Sequence, residues 1–193
     1  PNGALSAFAA ASGRLVWSVD LRNEFGAQPR TWGYTESVIV DGGLVLCMAG
    51  ARQGRVVALN KKTGATVWAN TEIADSAAYS SPIVVTHNGV RQMIALARET
   101  MLGVEVQTGK LLWTARHPST CDQNVTSPIF HEGAVFVTSG HRAGARVVRL
   151  SPDSRAAEQL WHGAELDNCH GGVVLLNGHL YSSGCRLYGR GLL

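Results

Sequence analysis

The sequence has little charge, few prolines and no long apolar run. Charged residues make up 16% of its 193 residues and hydrophobic residues 45%. This excludes a disordered chain, because disorder needs low hydrophobicity and high net charge. Six prolines without a Gly-x-y period exclude a collagen-like chain. No apolar stretch reaches the roughly 20 residues of a membrane helix, so we expect no membrane span. The sequence does not open on a charged segment followed by an apolar one, so it predicts no signal peptide within the 193 residues.

Motifs of several enzyme classes are also missing. The sequence has no dinucleotide-binding fingerprint, no nucleophile elbow, no H-E-x-x-H and no phosphate-binding P-loop. Its net charge is +3, but the basic residues are dispersed along the chain. Because a nucleic-acid binder usually clusters them on one element, we expect no nucleic-acid binding. His117 and His141 stand alone in the sequence and are expected at the surface.

The four cysteines form no C-x-x-C pair, which argues against a structural zinc site. Cys47 lies within an apolar run and is expected to be a buried strand thiol. The sequence leaves the disulfide state of Cys121, Cys169 and Cys185 open, so it does not decide the redox compartment.

A repeat organises the whole sequence. Tryptophans recur 45 to 51 residues apart, and a glycine turn after a short apolar run recurs 44 to 46 residues apart. The tryptophans are Trp17, Trp68, Trp113 and Trp161, and the turns end at Gly43, Gly89, Gly133 and Gly178. Because two independent markers share one period, the chain is expected to be an array of similar units.

Each unit contains four short strand patterns. In residues 81–113, apolar or alternating segments are separated by turns, and residues 37–68 and 127–161 divide in the same way. Residues 1–20 and 171–193 each supply two more strands. Four antiparallel strands per unit are typical of a propeller blade. We therefore predict a single all-β propeller of about four blades over residues 1–193, three of them complete and two partial.

The tryptophans close a recurring motif, A-x-D-x-x-T-G-x-x-x-W. Residues 58–68 match it with Asn60 at the acidic position. Looser copies occupy residues 103–113, 7–17 and 151–161, the last without the glycine. The motif resembles the tryptophan-docking motif of the pyrroloquinoline-quinone (PQQ)-like β-propeller repeat. Quinoprotein alcohol dehydrogenases and the outer-membrane assembly lipoprotein of the Bam complex share this repeat, and the resemblance covers essentially the whole chain.

The resemblance implies a structural role for the motif. Each indole would be buried against the neighbouring blade, with its N–H bonded to a backbone carbonyl. The acidic or asparagine side chain would cap N–H groups of the turn. The structural docking residues are then Trp17, Trp68, Trp113 and Trp161. The resemblance also implies a periplasmic or otherwise extracytoplasmic location.

The two partial blades raise a question of assembly. Relatives of this repeat typically close with roughly seven or eight blades, whereas the strands counted here equal four. The strand pairs in residues 1–20 and 171–193 are complementary and could meet within one chain or between two. We expect a homodimer that completes one eight-bladed ring. A closed four-bladed ring and a fragment of a larger propeller are the alternatives.

Four polar loops precede the innermost strands of the blades, which line the channel of a propeller. They comprise residues 32–36, 77–81, 122–126 and 167–171. Because they recur at equivalent positions, we expect them to form one funnel for a protein or small-molecule ligand. The candidate funnel residues are Trp32, Tyr34, Glu36, Tyr79, Ser80, Asp122, Asn124, Asn168 and His170.

Three functions are compatible with this reading. The leading hypothesis is a non-catalytic binding or scaffold propeller without a cofactor. The second is a quinoprotein dehydrogenase-like domain that uses PQQ and calcium, although the adjacent cysteines often found against the quinone are absent. The third is a propeller fragment without a function of its own. Oxygen ligands for calcium could come from Glu36, Asp122, Asn124, Asp167 and Asn168. No metal is assigned, although Cys169 and His170 could act as soft ligands.

Overall fold

The structure is a computed structural model that describes residues 3–28, 31–119 and 123–185. Within these residues, sixteen strands and one short helix follow one another along the chain. The strands form five antiparallel sheets, and strands adjacent in sequence are adjacent in the sheet. This up-and-down order is that of successive propeller blades.

We number the sheets as blades 1 to 5 in chain order. Blade 1 pairs β1 (Ala4–Phe8) with β2 (Leu15–Asp20), and the helix α1 (Leu21–Phe25) follows. Blade 2 contains β3 (Ile39–Asp41), β4 (Leu44–Cys47), β5 (Val56–Asn60) and β6 (Thr66–Asn70). Blade 3 contains β7 (Ile83–His87), β8 (Val90–Leu96), β9 (Thr100–Glu105) and β10 (Leu111–Arg116). Blade 4 contains β11 (Ile129–His131), β12 (Ala134–Ser139), β13 (Gly144–Leu150) and β14 (Ala157–Gly163). Blade 5 pairs β15 (Val173–Leu176) with β16 (His179–Ser182).

Two-residue turns join the first two strands of blades 3, 4 and 5. The turn residues all have positive φ, between 46 and 83°. Positive φ at both turn positions matches the right-handed twist of the flanking strands and is typical of type I′ hairpins. The turns are Asn88-Gly89, Glu132-Gly133 and Asn177-Gly178, which are three of the glycine markers of the repeat.

Hydrophobic cores lie between successive blades. On β8, Met93 and Ala95 pack toward blade 2, whereas Ile94 and Leu96 pack toward blade 4. This alternation follows from the strand geometry, in which successive side chains point to opposite faces of the sheet. A third core joins blades 1 and 2 and includes Trp17. Each blade therefore buries its faces only by stacking on its neighbours.

Two of the motif tryptophans contact the following blade. Trp17 of blade 1 donates from Nε1 to the Lys61 carbonyl at 3.0 Å, and Trp68 of blade 2 donates to the Val106 carbonyl at 3.0 Å. Their rings lie over Gly64 and Gly109, where a Cβ atom would collide with the indole. Both glycines also have positive φ, 75° and 74°. The glycine therefore supplies both the turn conformation and the space for the ring.

The turns that receive these rings are capped locally. Asn60 accepts hydrogen bonds through Oδ1 from the backbone N–H groups of Lys62 at 2.9 Å and Thr63 at 3.3 Å. This is the capping role expected for the acidic position of the motif. In blade 3, the Glu105 side chain accepts instead from the Thr108 hydroxyl.

The other two tryptophans depart from the expected contact. Trp113 is buried, but its Nε1 donates to Gln92 Oε1 of its own blade at 2.7 Å and its ring lies over Gly103. The turn of blade 4 carries Ser154 rather than glycine, so it has no position without a side chain on which a ring could lie. Trp161 was expected to be buried and is instead 40% exposed. Blade 5 has only β15 and β16 among the described residues, so no receiving turn covers this ring there.

The helix α1 was not predicted from the sequence. Asp20 caps its N-terminus by accepting a hydrogen bond from the Arg22 N–H, and Gly26 ends it in the left-handed conformation. Leu21 and Phe25 are buried against blade 2 in the same core as Trp17. A cap residue and a glycine six positions apart were the sequence signal for this single turn.

The fold class predicted from the sequence is confirmed. Nearly all of the chain's regular secondary structure is strand, three of its five described sheets are four-stranded antiparallel blades, and the sixteen described strands equal the strands of four blades. Across the described residues, no helix has the length and apolar character to cross a bilayer.

Replacing Gly109 by alanine should destabilise the chain more than the same change at Gly26. Both positions need positive φ, but Gly109 faces the Trp68 ring whereas nothing lies within 4 Å of a Cβ at Gly26. We expect Gly26→Ala to cost about 1 kcal/mol from backbone strain, and Gly109→Ala to cost about 2–4 kcal/mol because the ring is also displaced. Urea denaturation of the two variants measures the difference. Equal losses would show that the Trp68 ring does not depend on this glycine.

Candidate functional site

The first three of the four loops that precede the inner strands are hydrogen-bonded to one another. Tyr79 of the second loop accepts a hydrogen bond at its carbonyl from Thr35 Oγ1 at 3.2 Å, and its N–H donates to the Asn124 carbonyl at 3.0 Å. Ser80, which is buried, donates from Oγ to the Thr126 carbonyl at 2.9 Å. The first three loops are therefore fixed side by side on one face of the blades.

A cavity of about 300 Å³ lies where the loops meet. All four loops contribute to its wall, although they are far apart in the sequence. The lining residues are Trp32, Thr35, Tyr79, Gln123, Val125 and His170. None of these six side chains is a carboxylate, lysine or arginine, so the wall combines aromatic surface with a few neutral hydrogen-bonding groups.

Two aromatic residues form one side of this cavity. Trp32 is 65% exposed, whereas Tyr79 is buried and its hydroxyl accepts a hydrogen bond from the Trp32 backbone N–H at 3.4 Å. A large aromatic ring left in contact with solvent forgoes the stabilisation that its burial would give. The backbone of Trp32 is thus hydrogen-bonded to Tyr79, while its indole remains largely exposed at the cavity.

Tyr34 and Glu36 face a different cavity. Tyr34 donates from its hydroxyl to the Ala49 carbonyl at 2.9 Å, and Glu36 accepts at Oε1 from the Met48 N–H at 2.7 Å. Both line a space of about 460 Å³ between blades 1 and 2. Burial raises the pKa of Glu36 to about 8, which the hydrogen bond from Met48 partly opposes, and burial raises the pKa of Tyr34 to about 12. The structure does not bring these two residues to the loop cavity.

Asn124 braces the third loop from beneath. Its side chain is fully buried, and Nδ2 donates to the carbonyls of Ala97 and Arg98, both at 2.8 Å. Its Oδ1 accepts from the hydroxyl of Ser139, which is itself hydrogen-bonded to His117 Nε2 at 3.0 Å. Asn124 therefore ties the loop to blades 3 and 4, while its neighbours Gln123 and Val125 face the cavity.

The expectation that His117 lies at the surface is wrong. His117 is 1% exposed. Its backbone N–H extends the pairing of β10 by donating to the Glu99 carbonyl at 2.7 Å, and this keeps the imidazole over blade 4. Burial, together with the smaller effect of the positive charges of Arg146 and His162, lowers the pKa of His117 to about 4. His141 is half-buried and its Nε2 bonds to Gln123 Oε1 at 3.0 Å.

A disulfide fixes the fourth loop. Cys169 is bonded to Cys185, which follows β16, so the bridge closes a segment that contains the hairpin of blade 5. Asn168 is buried beside it, donating to Ser182 Oγ at 2.8 Å and accepting from the Gly171 N–H at 2.8 Å. His170 lies between these anchors and reaches the cavity. Cys47 is a buried free thiol, as predicted, whereas Cys121 lies outside the described residues.

The proposed calcium ligands do not converge. Glu36 accepts a hydrogen bond from the Met48 N–H beside the second cavity, and Asn124 donates to the carbonyls of Ala97 and Arg98. Asn168 donates to Ser182, and Asp167 Oδ1 accepts from the Arg142 N–H. Asp122 lies outside the described residues. In the part of the chain that the structure describes, no group of three His, Cys, Asp or Glu side chains could hold a metal ion. Since calcium needs several oxygen ligands around one point, these residues do not fit a PQQ–calcium centre.

Three cavity residues were not among the predicted candidates. Thr35, Gln123 and Val125 belong to the predicted loops, but the predicted candidates were their neighbours. Adjacent residues of an extended loop point in opposite directions, as in a strand. The buried side chain of Asn124 and the cavity-facing side chains on either side follow this rule. In this third loop the sequence signal was therefore the alternation of side-chain directions rather than the polarity of the residues.

The fold is that of a PQQ-like β-propeller. A family described as "Outer membrane protein assembly factor BamB" matches residues 1–188, so the chain belongs to this family. A protein of that name from Francisella salina is 32% identical over 89 residues, which cover 45% of this chain and 15% of the relative. The match thus spans a small part of that relative's length.

Solved structures show the same fold at low identity. BamB from Moraxella catarrhalis aligns with 95% of this chain and 76% of its own, at 13% identity and a TM-score of 0.52. The quinohemoprotein alcohol dehydrogenase ADHIIG from Pseudomonas putida HK5 aligns with 95% of this chain and 36% of its own, at 16% identity and a TM-score of 0.55. A quinohemoprotein alcohol dehydrogenase from Comamonas testosteroni aligns with 94% and 38%, at 16% identity and a TM-score of 0.54.

Removing the disulfide should lower stability without unfolding the chain. The bridge joins residues 16 apart, and closing a loop of this size stabilises a protein by about 3 kcal/mol through the unfolded state. We expect the Cys169→Ser/Cys185→Ser variant to lose about that much in urea denaturation. A reductant should lower the melting temperature of the wild type and leave that of the double variant unchanged. A wild type that is insensitive to reductant would contradict this role.

Acid should destabilise the chain through His117. Its pKa is about 4 in the folded chain and near 6.5 in the unfolded chain. The unfolded state therefore binds the proton first as the pH falls, and stability is lost between about pH 6.5 and 4, by roughly 2–3 kcal/mol. Above pH 6.5 this histidine contributes no pH dependence.

The measurement compares wild type with His117→Gln across that pH range. Glu36 titrates in both proteins, so its contribution cancels in the difference. His179→Gln, a change at an exposed histidine, serves as the matched control and should behave as wild type. If His117→Gln loses stability with acid as steeply as wild type does, the buried imidazole is not the responsible group.

Proposed function

We propose that this chain is a non-catalytic propeller that binds a polypeptide partner on its loop face. One observation carries the proposal: four loops from different blades meet at a single open cavity, whose described lining is aromatic and includes no carboxylate, lysine or arginine. The acidic and amide side chains that catalysis would need are bonded to the backbone of the loops instead. The loop face is therefore suited to contact rather than to chemistry.

Family membership supports the same reading. The matched family and the relative from Francisella salina carry the name of an outer membrane protein assembly factor, which describes a protein that acts on other proteins. The quinohemoprotein neighbours are below 25% identity and support the fold alone. Quinone absorbance that co-elutes with the purified chain after PQQ and calcium are added would count against a non-catalytic role.

An extracytoplasmic location belongs to this proposal. The Cys169–Cys185 disulfide supports it, because disulfides persist in oxidising compartments and are rare in the cytosol. The relatives named for outer membrane protein assembly support it as well.

We further propose that a second copy completes the two-stranded blades as an eight-bladed ring. The contacts that join blades 1, 2 and 3 each place a tryptophan over a glycine turn. One further tryptophan and one further glycine turn lack such a partner within the described residues. Trp161 is 40% exposed, and the turn at Gly13 has nothing within 4 Å of a Cβ position.

Light scattering should give about twice 20.5 kDa. Trp161→Glu should reduce this mass, Trp32→Glu should not, and a wild-type monomer would exclude the dimer.

The binding role is tested with short extended peptides of mixed sequence. Protein-detected NMR should show shifts confined to the loop face, and Gln123→Ala should weaken binding. Gln107→Ala is the matched control, because Gln107 is exposed in the turn between β9 and β10, at the opposite end of β10 from the third loop. Binding that no loop variant changes, or the absence of binding by any peptide, would overturn the proposal.

A further inference from the structure

We infer that the loop cavity holds one aromatic side chain of the bound polypeptide. This rests on the proposed function and names the chemistry that the loop face selects. The starting observation is Trp32, whose indole is 65% exposed at the mouth of the cavity while its backbone is held against Tyr79. An exposed aromatic ring on a hydrogen-bonded backbone is suited to pack against a second aromatic ring supplied by a partner.

The size of the cavity limits the occupant. Its volume of about 300 Å³ is at the low end for sites that enclose small-molecule ligands. It is enough for one aromatic side chain, which buries about 150–250 Å² on entering such a site. Pockets that take single aromatic anchors are typical of the energetic centre of protein interfaces.

The charge of the wall also limits the occupant. The six lining residues that the structure describes include no carboxylate, lysine or arginine. A lysine, arginine, aspartate or glutamate side chain would lose its hydration there without gaining a partner. A neutral ring loses little hydration and gains the edge or face of Trp32, together with the aliphatic surface of Val125.

The remaining polar groups suit the peptide backbone that carries the ring. Gln123 Oε1 is bonded to His141 Nε2, which leaves the amide nitrogen of Gln123 as a donor at the cavity wall. The His170 ring lies on the same wall, held by the disulfide at Cys169. Donors beside an aromatic pocket match the carbonyl oxygens on either side of an inserted side chain. The site thus favours an aromatic residue within an extended segment over a free ring.

The test uses the peptide acetyl-Gly-Ser-Phe-Ser-Gly-amide and two variants with Leu or Lys in place of Phe. NMR titration of the 193-residue protein gives the three affinities. We expect the Phe peptide to bind about tenfold more tightly than the Lys peptide, with the Leu peptide between them. Trp32→Ala should remove most of this preference. Phe8→Ala is the matched control, because Phe8 is 62% exposed on β1 and does not line the cavity.

The outcomes separate this inference from the proposed function. If the three peptides bind equally on the loop face, the aromatic pocket is refuted while polypeptide binding stands. If the Phe peptide is preferred but Trp32→Ala leaves the preference intact, the assignment to this cavity is refuted. If none of these peptides binds while longer mixed-sequence peptides do, the aromatic inference fails alone, and if no peptide binds at all, both fail.

Discussion

An indole ring lying over a glycine turn is the contact on which the stacking of the first three blades depends. Trp17 over Gly64 and Trp68 over Gly109 each combine three requirements in one place: a left-handed backbone, an absent side chain and a carbonyl acceptor for Nε1. Asn70 adds to the second contact by donating to the Gly109 carbonyl at 2.7 Å. Because the ring is large and its hydrogen bond directional, this contact sets how one blade sits on the next.

The position of the loop cavity follows from that stacking. Stacked blades with the same strand order bring equivalent loops to one face, so residues from four distant segments line a single space. The loops remain rigid because their polar side chains are used internally. Ser80, Asn124 and Asn168 are buried and bonded to neighbouring loops or strands rather than to solvent. The groups left over for a partner are the aromatic and neutral ones.

The repeat made the architecture predictable, but the directions of individual side chains were not. A shared period of turns and tryptophans depends only on local residues, and it located every blade. The orientation of Tyr34 and Glu36 depends on carbonyl and N–H groups of Ala49 and Met48 across the blade, which no local pattern reveals. His117 shows the same difficulty, because the Glu99 carbonyl just before β9 and Ser139 of β12 bury it, and both are distant in the sequence. The missing glycine of the last motif copy was visible in the sequence, yet the different contact of Trp113 depends on the alternative acceptor on Gln92.

The contact between a tryptophan and the next blade also has a consequence for the order of folding. Trp17 bonds 44 residues ahead of itself and Trp68 bonds 38 residues ahead, so each indole leaves the ribosome before the turn that receives it. At about 5–20 residues per second, some seconds pass between the synthesis of each tryptophan and that of the glycine turn it contacts. Each blade is a local meander, but the last strands of blades 1 and 2 make their tryptophan contacts only when the following blade has been translated. Assembly during synthesis therefore proceeds from the N-terminus, one blade behind the growing chain.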